Sequence, residues 1–265
     1  MTSGPNVAQN LECARTLLER AARDGAQLAV LPENFALMGL DERDKLTVAE
    51  VPGVGPIQTW LSDTARELGL WIVAGTMPVR PTNAVADKVA AACWVMNAHG
   101  ACVARYDKIH LFDVDIPGRD EGYRESATIA AGHVPVVVDA PIGRIGLSVC
   151  YDVRFPELYR RLTMQGAQVL SVPSAFTVPT GQAHWDVLLR ARAIENLCFV
   201  LAPAQTGKHA NGRETYGHSS IVDPWGAVLA RVPDGPGVAL ATIDLTSQRD
   251  IRTRFPALTH LKLQS

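Results

Sequence analysis

The sequence predicts an α/β fold in which helices pack on the outer faces of a layered β core, as one domain over residues 1–265. Both halves of the chain alternate segments of helical periodicity with short apolar runs of strand length, a pattern typical of α/β layers. The apolar runs do not alternate strictly with polar residues, as expected for strands covered on both faces. Runs joined by short turns predict antiparallel hairpins at the sheet edges.

In the first half, glycine and proline mark where the predicted elements begin and end. Gly25 follows an apolar helical stripe at a C-cap position, and Pro56 stands where proline is favoured in a first helical turn. In chain order the predicted elements are a helix over 6–24, a strand over 27–33, a helix from 56 to 68 closed by Gly69, a strand over 70–77, and two strands within 91–108.

The second half repeats this alternation of helix and strand. A turn signal in "DPWG" predicts a hairpin, and an apolar run near the C-terminus predicts a last strand. In chain order the predicted elements are a strand over 144–150, a helix over 155–166, a strand over 167–174, a helix over 183–197, a strand over 198–205, a hairpin over 219–232, and a final strand over 237–245.

Composition excludes several function classes. Hydrophobic residues make up 47% and charged residues 20%, and the net charge is −2 without a basic block, so we expect no nucleic-acid or membrane partner. The start of the chain does not resemble a signal peptide. Five scattered cysteines without a Cys-x-x-Cys pair predict a reducing cytoplasm. The seven histidines do not pair with them at ligand spacing, so we expect no metal or other cofactor.

Polar residues follow several predicted strands and mark a candidate site. Glu33, Lys108, Cys150 and Ser174 each stand at or just after the carboxyl end of an apolar run. Ligands of α/β proteins gather at such strand ends, so we expect these side chains to converge.

Cys150 lies in "GRIGLSVCYDVRFPEL", where an apolar strand runs directly into a cysteine with charged neighbours. Backbone N–H groups of the turn that follows can stabilise a thiolate and then an oxyanion, which favours a nucleophile. The alternative is a packing residue, because free cysteine is among the most buried residue types. The other four cysteines fall within predicted helices or strands and are interpreted as packing residues.

The acidic and basic candidates each have a structural alternative. Glu33 fits a catalytic carboxylate whose pKa burial raises toward the working range, or a cap of the next turn. Lys108 fits a catalytic cation or one member of a solvated cluster in "YDKIHLFD". Glu125 lies in a loop rich in glycine and arginine, where an exposed acid is unremarkable.

Further candidates concern a base and a substrate. His184 and His218 are possible partners for a nucleophilic cysteine, as in papain-like enzymes, although neither stands in a recognisable motif. Arg154 can receive a substrate carboxylate in a bidentate contact or pair with Asp152 or Glu157. The polar loop over 206–214 can bring Lys208 or Arg213 to an acidic ligand or remain solvated.

Three separated segments together resemble the nitrilase superfamily of carbon–nitrogen hydrolases. They are "LAVLPEN" with Glu33, "YDKIHLFD" with Lys108 and "GLSVCYDVRFPELYR" with Cys150. "GYRES", "VPSAFTVPTGQAHWDVLLRARAIEN", "APAQTGKH" and "YGHSSIVDPWGAVLA" also match, so the resemblance covers nearly the whole chain.

This resemblance implies a fold, an assembly and a set of residue roles. The implied fold is an αββα sandwich of two mixed β-sheets with helices on the outer faces, whose subunits pair through helical faces as a homodimer or larger homo-oligomer. Glu33 is implied as general base, Lys108 as electrophilic stabiliser, Cys150 as nucleophile and Glu125 as a supporting carboxylate. The candidate substrate-binding residues are Tyr151, Arg154, Ser174, Phe176 and His184.

Within the superfamily, "SAF" and "AQTGKH" resemble the deaminated glutathione amidase branch. The implied reaction hydrolyses deaminated glutathione to 2-oxoglutarate and cysteinylglycine through a cysteine acyl-thioester. Two alternatives stay open at this point: an ω-amidase acting on 2-oxoglutaramate, and a relative that binds without catalysis.

The chain departs from the superfamily pattern in two places. Relatives usually begin with a short apolar strand before the first helix, whereas "MTSGPN" leads directly into that helix. We therefore expect the usual first strand to be missing, which exposes a sheet edge. Relatives also typically carry an asparagine near Ala91, a difference for which we expect a local effect.

Overall fold

The computed structural model describes residues 1–81, 87–118 and 121–263. Residues 119–120 of the segment rich in glycine and arginine before Glu125 lie outside them. The helices are α1 Val7–Arg23, α2 Asp44–Thr47, α3 Pro56–Leu68, α4 Pro156–Met164, α5 Val178–Asn196 and α6 Leu245–Arg254. The strands are β1 Leu28–Val30, β2 Trp71–Val79, β3 Ala90–Met96, β4 Cys102–Asp107, β5 Asp113–Asp115, β6 Gly122–Arg124, β7 Val137–Ala140, β8 Gly143–Leu147, β9 Val169–Ser171, β10 Phe199–Ala202, β11 Thr206–Lys208, β12 Glu214–Tyr216, β13 Ser220–Val222 and β14 Val228–Arg231.

Two mixed sheets form the centre of the fold. The first has four strands in the order β1-β2-β3-β4, and the second has six in the order β14-β13-β10-β9-β8-β7. In the first sheet only β1 and β2 are parallel. In the second, β8, β9 and β10 run parallel, and antiparallel strands flank them. Two short hairpins, β5–β6 and β11–β12, complete the described sheets.

Side-chain alternation along β3 explains the layered packing. Cys93 and Val95 belong to the apolar core shared with β8 and β9 of the second sheet. Trp94 and Met96 point the other way, into a core shared with α1 and α3. Successive strand residues face opposite sides, so the first sheet is covered on both faces. The predicted α/β fold, with helices outside a layered β core, is confirmed.

Several predicted elements have the expected bounds. Helix α1 begins after Asn6, whose side chain accepts a hydrogen bond from the backbone N–H of Gln9. Helix α3 begins at Pro56 and is closed by Gly69 in the left-handed conformation. Helix α5 begins five residues earlier than predicted, at Val178, because a proline in its first turn is compatible with a helix.

The predicted final strand over 237–245 is wrong. Residues 232–244 contain no strand, and helix α6 begins at Leu245. The described residues before α1, residues 1–6, form no strand, as expected, and β1 is an edge strand of its sheet. Residues 237–243 and 28–31 line one groove of about 610 Å³. Although its residues favour a strand, the segment 237–243 pairs with no described strand, and a groove lies between it and β1.

Other elements were not predicted from the sequence. They are the two short hairpins, β7, the single turn α2, and α6, whose N-cap residue Asp244 accepts hydrogen bonds from two backbone N–H groups. Most are three or four residues long, and so few positions do not show a recognisable helical or strand periodicity of apolar residues. Among the described residues, no helix has the length and apolar character needed to cross a membrane.

Gly75 in β2 allows the chain after β1 to approach closely. A Cβ atom at this position would lie 2.0 Å from the carbonyl oxygen of Pro32. Leu31 donates its N–H to the Val73 carbonyl at 2.9 Å, and this hydrogen bond holds the chain after β1 against β2. Because Glu33 directly follows Pro32, the missing side chain at Gly75 determines where that carboxylate lies.

We expect Gly75→Ala to lower the free energy of unfolding by about 1–3 kcal/mol, because the new methyl group must displace backbone rather than a flexible side chain. Thermal and urea unfolding measure the effect. Gly4→Ala is the matched control, since a Cβ atom there meets no heavy atom within 4 Å. Equal stability of the two variants would show that the β1–β2 crossing is not constrained in this way.

Candidate active site

The site is built at strand ends from both sheets. Glu33 follows β1 and Lys108 follows β4, the two edge strands of the first sheet. Cys150 follows β8 of the second sheet. Strands β1 and β4 point the same way, because β1 is parallel to β2 while β3 runs antiparallel to both β2 and β4. The fold thus brings the carboxylate and the ammonium to one end of the sandwich.

A buried ammonium between two carboxylates forms the centre of the site. Lys108 Nζ lies 2.8 Å from Glu33 Oε1, and 2.9 and 2.8 Å from the two carboxylate oxygens of Glu125. Lys108 is only 2% exposed. The Phe112 N–H donates to Glu125 Oε2 at 2.7 Å and orients that carboxylate. A buried cation is tolerated when anions pair with it in this manner, so the solvated alternative for Lys108 is wrong.

Cys150 adopts a backbone conformation that side chains usually avoid. Its φ is +47°, in the left-handed region, and it opens a 3₁₀ turn over Cys150–Arg154. Its N–H donates to the Pro173 carbonyl at 2.8 Å. Strained residues of this kind occur where a side chain must be presented at a fixed position, as in the nucleophile elbow of other hydrolases.

Asp152 holds this strained turn. Its fully buried carboxylate accepts hydrogen bonds from the Val149 N–H at 2.8 Å and the Tyr106 hydroxyl at 2.7 Å. It also accepts from the His110 N–H at 3.0 Å, and lies 2.7 Å from His110 Nδ1. From the sequence, Asp152 was a charged neighbour of Cys150 and a possible ion-pair partner of Arg154, and its support of the turn was not predicted. Its position two residues after the cysteine was the available signal.

The ion pair decides the proton positions in the resting site. Burial alone would raise the pKa of Glu33, but the charge and hydrogen bond of Lys108 hold it below the usual 4.5. The expected upward shift of the Glu33 pKa is therefore wrong, because it considered burial without the ion pair. Burial raises the pKa of the Cys150 thiol, and the Glu33 carboxylate raises it further. The resting pair is a carboxylate beside a protonated thiol.

The same partners keep Lys108 charged. Burial favours the neutral amine, yet the nearby carboxylates of Glu125 and Glu33 raise the pKa of Lys108 well above its usual value. The site therefore holds a permanent positive charge at the working pH, next to the thiol.

A cavity of about 310 Å³ opens onto these groups. Of the candidate substrate-binding residues, Tyr151, Arg154 and Phe176 line it together with Glu33, Lys108, Glu125 and Cys150. Ser174 does not line it, because its fully buried hydroxyl donates to the Val172 carbonyl at 3.0 Å. His184 is exposed outside the lining, with Nδ1 at 3.2 Å from Arg154 Nη1.

The structure distinguishes between the alternatives for Arg154, Lys208 and Arg213. Among the described residues, Arg154 forms no ion pair with Asp152 or Glu157, and its guanidinium lies 5.3 Å from the Phe176 ring centroid. Arg213 lines the cavity, whereas Lys208 is exposed and does not.

The structure does not bring a histidine to Cys150. In the described part of the chain no histidine lines the cavity, and His218 Nδ1 instead lies 2.8 Å from the Tyr216 carbonyl oxygen. The described residues also contain no group of three or more His, Cys, Asp or Glu side chains arranged to hold a metal ion. The arrangement therefore favours acid–base chemistry by Glu33 over a papain-like pair.

Gln205 is a supporting residue that sequence reasoning missed. Its amide nitrogen donates to the Glu33 carbonyl at 3.0 Å, and its amide oxygen accepts from the Ser3 N–H at 3.0 Å. It thereby ties the backbone of Glu33 to the loop after β10 and to the start of the chain. Its polar side chain at the end of an apolar run was the only signal.

The chain is similar to known proteins over nearly its whole length. The family model described as carbon–nitrogen hydrolase matches residues 1–253. A protein of Synechocystis named deaminated glutathione amidase is 47% identical over 98% of this chain and 95% of its own length. The crystal structure of the C. elegans NitFhit protein has a TM-score of 0.90 at 40% identity, covering 99% of this chain and 63% of that one. Yeast Nit3, described as a member of branch 10 of the nitrilase superfamily, has a TM-score of 0.86 at 30% identity, covering 96% and 91%.

Proposed function

Because the chain belongs to the carbon–nitrogen hydrolase family and is a hydrolase that acts on amides, we propose that it cleaves a small carboxylated amide through Glu33, Lys108 and Cys150. The observation that carries this proposal is the buried Glu33–Lys108–Glu125 cluster, which shares one cavity with the strained Cys150. We propose deaminated glutathione as the substrate.

The first half of the reaction forms a thioester. Glu33 takes the thiol proton as Cys150 attacks the amide carbonyl carbon, so a free thiolate need not accumulate. The resting carboxylate–thiol pair suits this role, because the base is already ionised. The carbonyl oxygen becomes negative, and Lys108 together with the Tyr151 N–H stabilises it. One such donor typically contributes about 3–4 kcal/mol.

Collapse of the tetrahedral intermediate breaks the C–N bond. Glu33, now protonated, gives its proton to the departing amine, and the acyl group remains on Cys150 sulfur. Water then enters, and Glu33 takes one of its protons as the oxygen attacks the thioester carbonyl. Breakdown releases the acid and returns the proton to sulfur. Glu125 holds Lys108 in place through both halves, since it binds Nζ with both carboxylate oxygens.

Two observations support the substrate assignment. The 47% identical Synechocystis relative is named for this substrate. In addition, Arg154 projects a cation into the cavity, stacked on Phe176 and free of a carboxylate partner among the described residues, which suits the carboxylate of a 2-oxo acid. The products are then 2-oxoglutarate and cysteinylglycine. All five cysteines are free thiols, which supports the reducing cytoplasm as the proposed location.

We expect Cys150→Ala to abolish hydrolysis of deaminated glutathione while leaving the fold intact, because no other described thiol lines the cavity. Turnover is followed by release of 2-oxoglutarate, and mass spectrometry of the wild type detects the acyl-enzyme. Cys93→Ala is the matched control, since that buried thiol packs in the core.

The outcomes separate the candidate functions. A Cys150→Ala variant with undiminished rate would refute the nucleophile. A higher kcat/KM on 2-oxoglutaramate than on deaminated glutathione would identify an ω-amidase instead. A folded wild type that forms no acyl-enzyme with either amide would indicate a binding protein.

The acidic limb of kcat/KM tests the role of Glu33. A base acts only when ionised, and Lys108 holds the pKa of Glu33 below 4.5, so the rate should fall only as the pH drops below that value. The ion-pair contribution to stability is lost over the same range, so circular dichroism must accompany the assay. A limb with a midpoint between about pH 5.5 and 7 would contradict an ionised Glu33 in the free enzyme.

We also propose that two copies of the chain pair through helical faces. The proposed contact contains three large, exposed apolar side chains: Ile194, Trp225 and Phe255. They are contiguous, because the Trp225 and Phe255 ring centroids are 5.6 Å apart and a Cβ atom at Gly226 would lie 2.6 Å from Ile194.

Sedimentation should give twice the 28.5 kDa chain mass, and Trp225→Glu should give a monomer. Val134→Glu, at another exposed apolar residue, is the control, and a monomeric wild type would exclude this assembly.

A further inference from the structure

Arg213 occupies an unusual position in the wall of the cavity. It precedes β12 in the β11–β12 hairpin and lines the cavity with Glu33 and Cys150. Its guanidinium lies 5.0 Å from the Tyr123 ring centroid, and Nη2 donates to the Ala175 carbonyl oxygen. Neither contact supplies a negative charge.

The guanidinium of Arg213 has no anionic partner among the described residues, although it lines the cavity. The Nε–H is buried and has no hydrogen-bond partner. Among the residues that the structure describes, no carboxylate lies within ion-pair distance of this guanidinium. A buried N–H without a partner is costly, and a substrate carboxylate is the group that satisfies a partly buried guanidinium best.

Arg213 and Arg154 flank the segment Ala175–Phe176. Arg154 lies over the Phe176 ring, while Arg213 binds the Ala175 carbonyl. They also act on different parts of the site. Arg154 lies in the same 3₁₀ turn as Cys150. Arg213 instead lies over the ring of Tyr123, two residues before Glu125, the carboxylate that shares Lys108 with Glu33. One arginine thus stands toward the thiol and the other toward the carboxylate.

The proposed reaction gives these two positions different meanings. The acyl group stays on Cys150 sulfur, so its substituent extends toward the arginine on the thiol side. The departing amine takes its proton from Glu33, so the leaving group extends toward Arg213, the arginine on the Glu33 side of the site. A carboxylate carried by the leaving group then meets Arg213.

We propose that Arg213 is a specificity-determining residue that binds a carboxylate on the leaving amine. The preferred substrate is then a dianion, with one carboxylate on each side of the scissile amide. This inference rests on the proposed function and deepens it. It explains how the site distinguishes an amide of cysteinylglycine from one that releases only ammonia.

The test compares deaminated glutathione with its analogue in which the terminal glycine carboxylate is a primary carboxamide. We expect the wild type to favour the acid in kcat/KM by about 10- to 100-fold, as one charge-assisted pair supplies. In Arg213→Gln this ratio should fall to about one, mainly through a higher KM for the acid. Arg213→Lys, which keeps the charge but not the planar fork, should lie between.

Arg154→Gln is the matched control. It removes a cation from the same cavity on the acyl side, so it should slow both compounds while keeping their ratio. Any effect of Arg213 through Ala175 on the thiol also slows both compounds alike and cancels in the ratio. Thermal unfolding checks each variant, and if Arg213→Gln does not fold, the wild-type and Arg213→Lys ratios decide.

Each outcome bears on a separate claim. A wild-type ratio near one, or a ratio unchanged in the Arg213 variants, overturns the inference and leaves the proposed amidase intact. If Arg154→Gln lowers the acid-to-carboxamide ratio of kcat/KM as much as Arg213→Gln does, the inference is also overturned, because both cations then act on the same carboxylate. A folded wild type that hydrolyses neither compound overturns the proposed function, and this inference with it.

Discussion

A buried ammonium that must be neutralised is the constraint on which the site depends. Lys108 is almost fully enclosed, and removing one partner of a buried ion pair typically costs about 3–5 kcal/mol. Glu33 and Glu125 come from separate segments of the chain to meet this charge. Their convergence ties the ends of β1, β4 and β6 to a single position in space. Stability and the proposed chemistry therefore draw on the same three side chains.

The ion pair also sets the chemical character of the site. Because Lys108 keeps Glu33 ionised while burial keeps Cys150 protonated, the resting state stores a base next to its proton donor. The proposed nucleophile forms only as the substrate carbonyl is attacked, which suits an amide, whose departing amine needs the proton back. A thiolate whose proton had been lost to solvent would leave Glu33 without the proton that the amine requires.

The layered architecture explains why such distant residues meet. The acid and the amine follow edge strands of the first sheet, and the thiol follows β8, the strand next to one edge of the second. Packing the sheets face to face closes the distance between them. Local details then refine the positions: Gly75 lets the chain before Glu33 cross β2, Asp152 braces the left-handed turn of Cys150, and Gln205 holds the backbone of Glu33. Arg213 reaches the same cavity from a hairpin outside both main sheets.

The spacing of apolar residues and the positions of glycine and proline in the sequence determined the α/β class and most helix and strand positions. They also placed Glu33, Lys108 and Cys150 at strand ends. These features depend on residues close together in the chain. Tertiary structure alone decided which candidates share the cavity. It placed Ser174 and His184 outside it and Arg213 inside, and it lowered the pKa of Glu33 through Lys108, which lies far away in sequence. It also left residues 237–243 without a strand partner despite their strand-forming composition. Hydrogen-bond partners, ion pairs and sheet neighbours come from remote segments, so no local pattern records them.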